Sequence, residues 1–183
     1  MVTIEAIDED REDLKLKGNK LFGSGEFKEA VAVYSEALEK TSDNGLRSNL
    51  LYNRASAYFK LKQFSVCVKD CDEALTLNEK YEKALFRRAV AKEELGRLEE
   101  ALEDLERLCR ITHGTDSLHR EVVKRINHKQ ELKLEEDKAE MMNNLKSLGN
   151  SILGNFGMSL DDFKFEKNGE TGNYAVTMKS RDS

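Results

Sequence analysis

Residues 86–108 read FRRAVAKEELGRLEEALEDLERL. Ala89, Ala101, Leu105 and Leu108 put small or apolar residues at helical spacing on either side of Gly96. The stretch therefore reads as a helix, a tight turn at the glycine, and a second helix lying back on the first. Arg87, Arg88 and Lys92 interrupt its first half. The question they raise is what negative group they face.

The same offsets recur upstream. Ala55 is followed by Cys67, Cys71 and Ala74, and Gly18 by Ala30, Tyr34 and Ala37. The three starting points lie 37 and 34 residues apart. A turn signal repeats with them: Gly25-Glu26-Phe27, Lys62-Gln63-Phe64 and Gly96-Arg97-Leu98. Each unit is a helix A, a turn and a helix B. One such hairpin cannot bury its own apolar face, so the three stack into a solenoid. The expected fold is all-α, with three repeats at about 11–47, 48–81 and 82–115. The first unit has a longer exit, TSDNGLRS, which accounts for its length.

Composition agrees. The chain has 183 residues, 36% charged and 7% aromatic, with no Pro and no Trp, so glycine must end its helices. The net charge of -5 speaks against a general nucleic-acid binder. No apolar run is long enough to span a membrane. The first stretch, MVTIEAIDEDRED, is acidic and lacks the parts of a secretory signal; residues 1–10 are expected to be a flexible acidic segment. Three cysteines without framework spacing point to a reducing compartment, so the expected location is cytoplasmic, with the nucleus as the alternative.

Beyond 115 the repeat stops. Residues 116–147 read as one long helix, expected to cap the open end of the third repeat. In 148–183, Leu145, Leu148, Ile152, Leu153 and Phe156 are expected on one helical face that begins just before the segment. That face either caps the solenoid or is offered to a partner protein. FKFEKNGETGNYAVTM alternates apolar and polar residues around a glycine-rich turn, the pattern of a small hairpin.

The repeat resembles the tetratricopeptide repeat, W-x2-L-G-x2-Y, then A-x3-F, then P. No unit has the first Trp, and Ser42, Glu79 and His113 stand where Pro would be. The resemblance implies that the A helices line a concave groove and the B helices form the outside. The A segments carry an excess of cations and the B segments an excess of anions. A groove of one sign attracts a ligand of the other. Lys15 and Asn19 are one helical turn apart, as are Lys83 and Arg87, and Asn53 lies early in the second A helix.

These five residues resemble the dicarboxylate clamp of co-chaperone tetratricopeptide domains. The resemblance implies that Lys15, Asn19 and Asn53 hold one carboxylate and Lys83 and Arg87 the other. The ligand would be the C-terminal Glu-Glu-Val-Asp tail of heat-shock protein 90 or heat-shock protein 70. Phe22, Ser56 and Lys60 would flank the peptide, Phe22 against its Val. On this reading Arg88 and Lys92 only add to the field. The C-terminal stretch LKSLGNSILGNFGMS resembles that of the tetratricopeptide repeat protein 1 family. Members are often longer at the N-terminus, so this chain is either a short homologue or part of a longer protein.

Other patterns are weaker. Cys67 and Cys71 are spaced for metal but fall at packing positions, so buried inert thiols are expected. Cys109 and His113 lack a second pair at zinc spacing. His119 and His128 are expected to be exposed. GNSILGNFG has no strand before it and no Lys-Ser/Thr after it, unlike a phosphate loop. No nucleophile has an activating base, so neither catalysis nor a cofactor is expected. The expected function is that of a non-catalytic adaptor with a second protein partner at its C-terminal region. The alternative is a scaffold that reads an internal acidic segment or another signalling protein. An RNA-binding repeat would need more groove aromatics than Phe22, Tyr52 and Phe59.

Overall fold

A computed structural model describes residues 4–113, 117–167 and 174–179. The described residues form seven α-helices: α1 (Ile4–Gly23), α2 (Phe27–Lys40), α3 (Asn44–Lys60), α4 (Phe64–Leu77), α5 (Glu82–Glu94), α6 (Leu98–Thr112) and α7 (Ser117–Gly154). A single 3-10 turn (Leu160–Asp162) and two strands, β1 (Phe163–Lys167) and β2 (Tyr174–Met178), follow. The chain divides into two units, Met1–Gln130 and Glu131–Ser183.

In the first unit the three hairpins are α1/α2, α3/α4 and α5/α6. Each turns the same way. Gly25, Lys62 and Gly96 all take the left-handed conformation, at φ 83, 59 and 74°. The next amide then donates back to a carbonyl five residues earlier: Glu26 to Leu21, Gln63 to Tyr58 and Arg97 to Lys92, each at 2.9 Å. This closes the helix end and aims helix B back along helix A. Glycine suits two of these turns; Lys62 adopts the strained conformation with a side chain.

The facing positions are the ones that recur in the sequence. Ala30, Tyr34, Ala37, Cys67, Cys71, Ala74, Ala89, Ala101, Leu105 and Leu108 are all buried. Gly18 must be glycine because of what opposes it: a Cβ there would lie 2.5 Å from Cε1 of Tyr34. In the next two units alanine suffices, since Ala55 clusters with Cys71 and Ala89 with Leu105.

The start of α7 closes the last repeat. Val122 and Ile126 are buried against Ala89, Leu98, Ala101 and Leu105. Beside them Glu93, its side chain fully buried, accepts from Arg125 at 2.7 and 2.6 Å and from Lys129 at 2.7 Å.

Some boundaries differ from the sequence reading. Residues 4–10 are helical rather than flexible, because no Gly or Pro interrupts the chain before Gly18. α3 starts at Asn44, within the expected exit loop, because the Asp43 side chain accepts from the Leu46 amide at 2.6 Å and caps it. α7 runs through 147 without a break and ends at Gly154.

In the second unit, the chain turns after Gly154 and folds back onto Gly149. Leu160 packs so closely that a Cβ on Gly149 would lie 2.8 Å from its Cδ1. The Leu160 amide donates to Asn150 Oδ1 at 2.6 Å, and Ser159 and Asp162 cap the 3-10 turn reciprocally. The expected hairpin is present: β1 and β2 pair antiparallel with Phe163 opposite Met178 and Phe165 opposite Val176. Its glycine-rich turn lies outside the described residues. Phe156 falls beyond the end of α7, off the helical face expected for it. Leu148, Ile152 and Phe156 are exposed.

Candidate functional site

Asn19 on α1 and Asn53 on α3 meet. Asn53 Nδ2 donates to Asn19 Oδ1 at 3.0 Å, and the Tyr34 hydroxyl donates to the same oxygen at 2.8 Å. Burial raises the Tyr34 hydroxyl to about 12, so it stays a neutral donor. With its oxygen twice occupied, Asn19 presents its own NH2 group as a donor. These residues line a cavity of about 240 Å³ with Phe22, Tyr52, Ser56 and Arg87.

Arg87 joins this cavity to a second one of about 210 Å³, lined by Tyr52, Lys83, Phe86, Leu118 and His119 among others. Its guanidinium lies over Phe59, 4.9 Å from the ring centre. Its Nε is buried with no hydrogen-bond partner among the described residues. A buried donor without an acceptor is costly; the residue as a whole lines both cavities, so its guanidinium is available to an anion there. Arginine offers carboxylates two parallel N–H bonds, and lysine adds a compact charge.

Of the eight residues singled out in the sequence, Asn19, Phe22, Asn53, Ser56 and Arg87 line the first cavity, and Lys83 joins Arg87 at the second. Lys15 and Lys60 line neither. Lys15 stands one turn before Asn19 and pairs with Glu12 at 2.7 Å, an exposed pair that is readily exchanged for a ligand. The Ser56 hydroxyl donates to the Tyr52 carbonyl at 2.9 Å.

Arg88 and Lys92 do not add to the groove as expected. Arg88 binds Asp104 through two nitrogens and Asp72 through a third, and Lys92 meets Asp104 at 2.8 Å. Arg54 binds Asp70 in the same way, at 2.7 and 2.8 Å, and Ser35 at 3.0 Å. Arg47 caps the end of α2 by donating to the Leu38 and Thr41 carbonyls. Arg54, Arg88 and Lys92 are thus neutralised against B-helix carboxylates. Of the cations that line the two cavities, Lys83 and Arg87 remain without an acidic partner among the described residues.

Tyr34, Tyr52 and Phe86 were not among the sequence candidates. In the sequence Tyr34 stands only as one of the recurring positions after Gly18. His119 is half-buried rather than exposed, edge-on to Phe86 at 5.1 Å. Cys67 and Cys71 are buried as expected, and their mutual hydrogen bond, with burial, pushes the Cys71 thiol well above its ordinary value. Among the described residues, no helix is long and apolar enough to cross a membrane.

Three stacked helical hairpins with a shared concave cavity define a helical-repeat binding module. The tetratricopeptide repeat description matches residues 48–81 and 83–111. Human RNA polymerase II-associated protein 3 is 44% identical over 98 residues, 54% of this chain and 14% of that protein. The rat mitochondrial import receptor subunit TOM70 is 42% identical over 97 residues, covering 52% and 16% respectively. The chain thus spans about one-seventh of the length of these curated relatives. The first repeat domain of Spaghetti (RPAP3), bound to the HSP90 peptide SRMEEVD, superposes with a TM-score of 0.62 at 35% identity, covering 67% of this chain and 94% of that one. The second such domain of human RPAP3, in complex with the HSP70 peptide SGPTIEEVD, gives 0.61 at 29%, covering 66% and 98%. The Hsp90 co-chaperone Cns1 of Saccharomyces cerevisiae gives 0.71 at 30%, covering 90% and 54%. This chain belongs to the tetratricopeptide repeat family.

Proposed function

We propose that this protein is a non-catalytic co-chaperone adaptor. Its groove binds the C-terminal Glu-Glu-Val-Asp tail of heat-shock protein 90, heat-shock protein 70 or both. The observation that carries this reading is the single cavity shared by the Asn19–Asn53 pair and Arg87. Lys15, Asn19 and Asn53 hold one carboxylate of the terminal Asp; Lys83 and Arg87 hold the other and the nearby peptide backbone. Phe22, Ser56 and Lys60 flank the chain, with Phe22 against the Val. Two similar domains were solved with peptides ending in EEVD, which supports the assignment of ligand.

The C-terminal stretch LKSLGNSILGNFGMS supports membership in the tetratricopeptide repeat protein 1 family, and with it a cytoplasmic adaptor that tethers a second protein. The rival is a scaffold that reads an internal acidic segment. Calorimetry with a peptide ending in Met-Glu-Glu-Val-Asp separates the two. Saturable binding that is lost on C-terminal amidation is the expected result. Equal binding of the amidated peptide would replace the clamp by a reader of acidic side chains. No binding of either would remove both.

A further inference from the structure

Every residue of 131–148 is exposed. An isolated helix of this length is marginal in water, and a polar one needs no apolar stripe. Yet Leu134, Lys138, Met141, Leu145, Leu148 and Ile152 recur at alternating steps of four and three. That is a seam with a period of 3.5 residues, which fits a second helix lying along it rather than a globular core. Met141, Leu145, Leu148 and Ile152 are 65, 52, 60 and 56% exposed. Among the described residues of its own unit none covers this seam: Leu160 packs beside it, on Gly149. On the opposite flank an open depression lies between Asp137, Asn144 and the seam residues Met141, Leu145 and Leu148.

The geometry points to a second copy of this chain as the occupant, with the two α7 helices antiparallel. The seam is symmetric about position 143. In an antiparallel pair Leu134 lies opposite the second copy's Ile152, Met141 opposite its Leu145, and Lys138 opposite its Leu148. A parallel pair would instead set Lys138 against Lys138 in the seam, which is repulsive. Charge agrees. Residues 131–140 are acidic on balance, while in 141–154 the only charged residue is Lys146. Antiparallel pairing sets the acidic half against the weakly basic one, and parallel pairing sets it against itself. At the flanking positions Asp137 then meets Ser151, Asn144 meets its own mate, and Glu135 comes alongside Leu160, which covers Gly149. No like charges oppose one another, and the helix dipoles run in opposite directions.

The test is sedimentation equilibrium of the full chain from about 1 to 300 μM, a range in which a seam this short is expected to half-assemble. The expected result is a reversible monomer–dimer equilibrium. L145D/L148D is expected to weaken it at least tenfold, with helix content and calorimetric affinity for the EEVD peptide unchanged. K138L, which removes the one charge from the seam, is expected to tighten it. A spin label at Glu136→Cys in a Cys109→Ser background reports orientation. Antiparallel helices offset the two labels by about 20 Å along the axis, whereas parallel ones place them side by side. A monomer throughout the range, a dimer indifferent to both substitutions, or labels side by side would each overturn the proposal.

Discussion

Asn19 and Asn53 touch across two repeats: the Nδ2 of one donates to the Oδ1 of the other at 3.0 Å. The bond fixes the rotamers of both side chains before a ligand arrives. Tyr34, packed on Gly18, holds the same oxygen from below. The donors that face the cavity are therefore preorganised, which lowers the entropic cost of binding.

The first prediction concerns this pair. N53A removes one donor and frees Asn19 to rotate, so affinity for the free-acid peptide is expected to fall about tenfold or more. N53D places a carboxylate where one is to be bound and is expected to abolish detectable binding. K83A/R87A is expected to do the same while lowering the unfolding free energy by only about 1 kcal/mol, since Lys83 is exposed and Arg87 gives up its stacking on Phe59. Calorimetry at two salt concentrations checks all three. Binding that survives K83A/R87A would mean the groove does not read carboxylates.

A second prediction comes from the turns. Lys62 sits at φ 59°, in the place held by Gly25 and Gly96 in the other units. A side chain costs about 1 kcal/mol or more in that conformation. K62G relieves it, and the relief of folded-state strain exceeds the added freedom of the unfolded chain. The variant is expected to be more stable by about 0.5–1 kcal/mol in urea unfolding, with peptide affinity unchanged. A loss of stability would mean that the lysine side chain contributes contacts that outweigh the strain.

Gly18 gives the opposite case. G18A drives a methyl group to 2.5 Å from the Tyr34 ring. Either the ring or α1 must shift, at a cost of about 1–3 kcal/mol. Because Tyr34 also holds Asn19, peptide affinity is expected to fall together with stability. G18A/Y34L, which removes the ring, is expected to recover most of the stability but not the affinity. Recovery of both would exclude a positioning role for Tyr34.

The sequence carried the repeat because its small residues recur at fixed offsets and close packing demands them. One helical turn was enough to read Lys15 with Asn19 and Lys83 with Arg87 as same-face pairs, but that Asn19, Asn53 and Arg87 line one cavity depends on how the repeats stack. The sequence did not carry the fate of the other cations. Arg54 and Asp70 are 16 residues apart, as are Arg88 and Asp104, so the pairs form only once each hairpin closes. Counting charge per helix could not separate a groove lining from an internal ion pair. Nor could pattern alone show where α7 ends. The helix was expected to end at 147, but it continues to Gly154, and Gly149 is a helical residue whose missing side chain makes room for Leu160.

The cap on the third repeat should be pH-dependent through Glu93. Burial pushes this carboxyl up, but the hydrogen bonds from Arg125 and Lys129 outweigh it and hold it below the usual range. A carboxyl that titrates lower in the folded chain than in the unfolded one adds stability above the ordinary Glu value of about 4.3. That contribution is lost as pH falls through the lower, folded value. E93Q keeps the shape and removes the charge, so at pH 7 it is expected to cost about 2 kcal/mol. As pH drops below about 4 the wild type loses the same interaction, and the difference between the two proteins is expected to shrink. Urea unfolding of both at pH 7 and pH 3 measures this. A gap that persisted at pH 3 would assign the effect of Glu93 to packing rather than to its charge.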